Sequence, residues 1–118
     1  AILDRVEAGS MTPRAGADAI AADVQPRRAD TLARLRALPP PPPALDGLRA
    51  QVISAFVVSM AANEATMAHL RAGGLPTNDP SSPLHVRATN IKAAMLARMA
   101  AVAKPLHIAV PPPTQLWP

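Results

Sequence analysis

The sequence has no cysteine and almost no aromatic residue. The first absence excludes disulfides, thiolate metal sites and cysteine nucleophiles, and leaves the redox compartment unread. The second leaves Phe56 and Trp117 as the only aromatics, 2% of the chain. A core must therefore be built from Leu, Ile, Val, Met and Ala, and the stacking platforms that hold single-stranded nucleic acid are missing. Charge is missing in two places. Residues 52–62 read VISAFVVSMAA, with no ionisable side chain, and no acidic residue follows Asp79. Both stretches carry helical periodicity, and neither has the fully polar outer face of a solvated helix. Both predict cover by something other than water.

What is present is enough for one domain with one core: 118 residues, 49% hydrophobic. The net charge is +4, with ten of the twelve basic residues arginine. That balance permits an anionic partner without requiring one. No uninterrupted apolar run reaches the ~20 residues that span a bilayer. The run from Val52 is short and is bracketed by Asp46, Arg49, Glu64 and Arg71. The first ten residues, AILDRVEAGS, lack the basic and apolar regions of a signal peptide.

Prolines divide the chain. Residues 1–10 predict a short helix ending near Gly9. Thr12 followed by Pro13 is a helix start, a capping hydroxyl before a residue suited to the first helical position. Ala17, Ile20, Ala21, Val24, Thr31, Leu35 and Leu38 then recur at helical spacing. Pro26 interrupts this run at a cost of roughly 3 kcal/mol if it sits deep in a helix. A sharp kink is expected, or two helices at 13–22 and 24–38 with Asp23 as the second cap. Residues 39–43 are five prolines and predict a stiff polyproline II connector. A second long helix is expected over 44–72, with a stripe of Leu45, Leu48, Val52, Phe56, Met60, Met67 and Leu70 and a glycine stop at Gly73 and Gly74. Ser82 and Pro83 repeat the cap-then-proline start. The third helix runs to Ala103 with a stripe of Leu84, Ala88, Ile91, Met95, Met99 and Val102. Only residues 107–110 hint at a strand. The expected architecture is all-α: an up-and-down bundle of three long helices over residues 1–104. The first is kinked or split at Pro26, residues 1–10 are a candidate fourth, and an extended proline-rich tail follows over 105–118.

The third helix is the most unusual element. Arg87, Lys92 and Arg98 border its apolar stripe, and its back face holds Thr89, Asn90, Ala93, Ala97, Ala100 and Ala101. A core helix whose alanine face touches a neighbour in the same chain is the plain expectation. An oligomer contact covers what remains, and a basic-bordered stripe lying on an anionic membrane is the rival. Ser59 and Asn63 share a face of the second helix, and a buried Asn must find partners. Arg27, Arg28, Arg34 and Arg36 are the best nucleic-acid candidates, with no base-reading element beside them. His69 with Met60, Met67, Met95 and Met99 offers soft copper ligands, though methionine at this spacing fills cores. No carboxylate pair, nucleophile elbow or glycine-rich phosphate loop occurs.

These patterns predict a non-enzymatic helical protein, with no cofactor and no metal, that works by protein contact. A homodimer is the simplest assembly, because two-fold interfaces are commonest. An accessory place in a larger complex fits the same surface. Phe56, Val57, Met60, Met95, Met99 and Trp117 are the expected contact residues. The alternatives are a carrier of an apolar small molecule held between the second and third helices, and basic-surface binding to membrane or nucleic acid. The carrier requires a closed dry cavity; catalysis requires a cleft where a histidine and an acid converge.

Overall fold

A computed structural model describes residues 1–106. The expected extended stretch at 107–110 and Trp117 lie outside the described residues. The fold is all-α: four helices pack against one another, with no strand among the described residues.

Helix α1 (Ile2–Glu7) ends at Gly9, whose φ of 77° is open to glycine. Gly9 N–H donates to Val6 O at 3.1 Å and Ser10 N–H to Arg5 O at 3.0 Å, so the helix's last carbonyls are satisfied by the turn itself. Helix α2 (Pro13–Ala19) starts as its sequence predicts, with Ala15 N–H donating to Thr12 Oγ1 at 3.1 Å.

No non-helical break occurs at Pro26. The chain passes from α2 through a π-helical turn (Ile20–Val24) directly into α3 (Gln25–Ala37). In α geometry the proline ring would meet the carbonyl one turn back. The π turn slips the register: Gln25 N–H reaches Ile20 O, five residues back. Pro26 then falls in the first turn of α3, where a missing donor is tolerated. Asp23 is not a cap. Its carboxylate pairs with Arg27 Nη2 at 2.7 Å, and its carbonyl accepts from Arg27 Nε at 3.0 Å. The slip rotates everything downstream. Gln25 and Leu32 are buried and Arg28 and Leu35 half-buried, while Thr31 and Leu38, expected on the covered stripe, are exposed.

Helix α4 (Pro43–Arg71) takes the last proline of the connector as its first residue. Arg49 folds back to close the end of α3, with Nη2 donating to Leu35 O at 3.0 Å, Arg36 O at 3.1 Å and Leu38 O at 3.2 Å. Gly73, at φ 87°, ends α4 as Gly9 ends α1: Gly73 N–H donates to Leu70 O and Gly74 N–H to His69 O, both at 3.0 Å. Helix α5 (Ser82–Ala103) returns along α4, bringing His85 to Thr66 and Arg98 to Gly47. Ser82 is the first helical residue and not the cap. Ser81 holds the cap position, and its hydroxyl turns to Asp79 instead of the helix N–H groups.

The core sits at one end. Val6, Ala17, Ile20, Met67 and Leu70 are buried together, with Ile2, Leu3, Met11, Ala21 and Val24 packed on them. The other half of α4 has only α3 and α5 beside it. The molecule is correspondingly long, 48 × 24 × 21 Å, with a radius of gyration of 16.1 Å. A compact chain of this length would have about 13.5 Å. By length and composition α4 is also apolar enough to cross a membrane, with mean hydropathy 1.3 over 18 residues. Counting only uninterrupted apolar runs missed this, because Asp46 and Arg49 lie near one end of the helix.

Gly16 marks the closest approach in the core. A Cβ there would stand 2.6 Å from Val6 Cγ2, a buried branched side chain with no room to retreat. Gly16→Ala gains up to about 1 kcal/mol of helix propensity but is expected to lose about 1–3 kcal/mol to overpacking. Urea unfolding should show net destabilisation, and Val6→Ala in the same chain should shrink the effect, because it removes the colliding methyl.

Candidate functional site

The apolar 18-residue window of α4 is only 17% buried. Helix α5 covers one side of α4, and the side beyond is open. Of the expected contact residues, Phe56 and Met95 are buried inside the chain, Met60 and Met99 are half-buried, and Val57 is 41% exposed. Trp117 lies outside the described residues. Leu84, expected on the covered stripe of the third helix, is exposed, and so is Val86, by 59%. The alanine face of α5 does not touch a neighbouring helix. Thr89, Asn90, Ala93, Ala97, Ala100 and Ala101 are all exposed. Most of the apolar stripe faces α4, and among the described residues no element covers the other side.

Between the two helices runs an open groove of about 540 Å³. Gln51 and Ser54 form its α4 wall, and Val86, Asn90, Ile91 and Ala94 line its α5 side. It is not the closed cavity that a carrier needs. Gln51 Oε1 is buried in this wall and has no hydrogen-bond partner among the described residues.

Two polar clusters hold the helices that shape this face. The first follows from the π turn. Gln25, buried on α3, donates through Nε2 to Met60 O at 3.2 Å and Glu64 Oε1 at 3.1 Å, and accepts from Asn63 Nδ2 at 3.1 Å. One turn on, Arg28 Nη1 donates to Ser59 Oγ. The polar residues of α4 are thus answered by α3 of the same chain. Burial, then the neighbouring Arg27 charge, pull the Arg28 pKa down. Lys92, half-buried on α5, is pushed down to about 8, by burial first and by the Arg28 charge second. Arg28 feels no matching effect from Lys92, because the ammonium has lost its proton well before a guanidinium titrates.

The second cluster lies at the α4–α5 turn. Thr66 is 1% exposed. Its hydroxyl donates to Asp79 Oδ2 at 2.6 Å. His85 Nε2 lies 2.6 Å from the same oxygen, so with the hydroxyl proton committed to the carboxylate, this nitrogen carries the donor hydrogen. Asp79 Oδ1 accepts from Ser81 Oγ at 2.7 Å and Ser81 N–H at 2.8 Å. Burial opposes ionisation of Asp79. The hydrogen bonds from Thr66 and Ser81 and the charge of His69 outweigh it and hold the carboxyl below its ordinary value. A histidine and an acid do converge here, but on a hydroxyl sealed from solvent. The cluster fastens the turn. Glu7 adds a tie from α1, accepting from Thr77 Oγ1 at 3.2 Å.

The arginine group on α3 is largely answered within its own helix. Arg27 pairs with Asp23 and Arg34 with Asp30 at 2.7 and 2.9 Å, while Arg28 meets the neutral Ser59 hydroxyl. His69 donates to Leu75 O at 3.0 Å and Asn78 Oδ1 at 2.9 Å as part of the turn. Among the described residues no three His, Asp or Glu side chains gather to hold a metal. No family model, curated protein or solved structure matches this chain.

Asp79→Asn removes the charge from three hydrogen-bonded contacts and is expected to destabilise the chain by about 1–3 kcal/mol. Because the folded pKa is depressed, the stabilisation from Asp79 is present above the ordinary carboxylate pKa of about 4 and is lost as pH falls below it. Denaturation curves from pH 7 to 3 should show a shallower acid loss in the variant. Lys92 gives the opposite test. Its folded pKa near 8 lies below the ordinary 10.5, so between these values the unfolded chain binds the extra proton and stability rises with pH. Lys92→Met should flatten that rise.

Proposed function

We propose that the protein works by protein contact through the uncharged sides of α4 and α5, and performs no chemistry of its own. The observation that carries the reading is the poor cover of the apolar part of α4, only 17% buried, beside the exposed Val57, Leu84 and Val86. Apolar side chains left open on a helix mark candidate interaction sites. Phe56 and Met95 support the surface from beneath, and Met60 and Met99 lie at its margin. Within this reading the three long helices form an up-and-down bundle, in which α3 and α5 both run back along α4 and leave its remaining side for a partner. A two-fold dimer and an accessory place beside another protein are the two assemblies that fit.

The test is site-specific photo-crosslinking in the cells that make the protein, with a photoreactive residue at position 57 or 86 and a control at Ala33 on the exposed side of α3. A discrete adduct is expected from the first two positions and none from the third. An adduct at twice 12.3 kDa identifies a second copy, and any other mass a different protein. Equal, diffuse labelling at all three positions would sink the contact reading.

A further inference from the structure

We propose that the α4–α5 groove receives an amphipathic helix of another protein, one that carries acidic residues beside its apolar stripe. The proposal rests on the protein-contact reading and names the occupant.

The groove is wide open to solvent, with about 540 Å³ of space along the seam. Its lining on α5 runs from Pro83 to Ala94, about 16 Å of helix or three turns. Ile91, Ala94 and Val86 give it an apolar surface, so a partner must bring apolar side chains at helical spacing.

Charge selects among such partners. Arg87 lines the groove. Arg98 lies eleven residues on, about 20° away around the helix and about 16 Å along it, and its guanidinium rests against Gly47 of α4. The two arginines therefore stand on one side of α5 towards the two ends of the seam. Among the described residues neither takes part in an ion pair. No acid lines the groove, and none occurs in the sequence after Asp79. A second copy docked about a two-fold axis here would set α5 against α5, cation against cation, and like charges brought together oppose association. A helix with carboxylates flanking its apolar stripe reverses the sign. Nucleic acid supplies negative charge but not the apolar stripe, and the groove has no aromatic residue on which a base would stack.

The experiment titrates the full chain with two labelled synthetic peptides of about 18 residues. Both have the same leucine stripe, one flanked by glutamates and one by lysines. Fluorescence anisotropy is read at low and at physiological salt. The glutamate peptide is expected to bind at least about tenfold more tightly than the lysine peptide, and to lose most of that advantage as salt screens the arginines. The double variant Arg87→Glu/Arg98→Glu should reverse the preference. Val86→Asp should weaken both peptides, with circular dichroism confirming that each variant remains helical. Equal binding of the two peptides, or binding of neither by a folded chain, would overturn the acidic occupant. So would displacement of the glutamate peptide by duplex DNA. A chain that dimerises at micromolar concentration and is made monomeric by Val86→Asp would also overturn it, while leaving the protein-contact reading intact. The crosslinking test fails independently of this one.

Discussion

The amide that Pro26 lacks sets the geometry of the whole molecule. An α-helix cannot carry a proline past its first turn without a lost bond and a steric clash. Here the helix answers with a π turn over Ile20–Val24 and continues. One extra residue per turn rotates α3, and the side that meets α4 becomes Gln25, Arg28, Leu32 and Leu35. Two of these are polar. Their partners on α4, Ser59, Asn63 and Glu64, are polar for the same reason. The α3–α4 contact is thus a seam of hydrogen bonds where an uninterrupted α-helix would have placed Val24, Thr31 and Leu38. Polar seams of this sort fix register better than they stabilise, which suits a bundle whose apolar core lies mainly at one end.

Each end of the bundle is tied by side chains that serve the backbone. Arg49 collects the carbonyls that end α3, so the proline connector leads into α4 without leaving orphaned acceptors. At the other end Asp79, Ser81, Thr66 and His85 join the turn to both of its helices. The glycine stops at Gly9 and Gly73 close two helices through the same pair of bonds. These local devices fix where the helices begin and end. They bury little apolar surface, and they leave the middle of α4 and the back of α5 open.

Much of this was legible in the chain. Thr12 before Pro13 and the glycines after α1 and α4 each follow from a local rule, and each is met. The readings that failed depend on neighbours. Ser81 sits at the α5 cap because Asp79 draws its hydroxyl away. Phe56 and Met95 lie inside because α4 and α5 pack on each other there. Val86 and the arginine pair at positions 87 and 98 gained their meaning only when the groove placed them on one wall. No periodicity distinguishes a residue that lines a groove from one that faces open water.

The sequence alone determined the helical class, the helix ends and the shortage of charge on two helices, because these are set by spacing and by residues within one turn of each other. The tertiary structure decided which apolar residues are covered and how far α3 is rotated. It also decided that the polar residues of α4 find their partners on α3. Those outcomes turn on a one-residue register slip, worth about 100° of rotation, and on which helix is left without a neighbour. The slip answers to Pro26, but which helix is left open is not encoded in any local window of the chain.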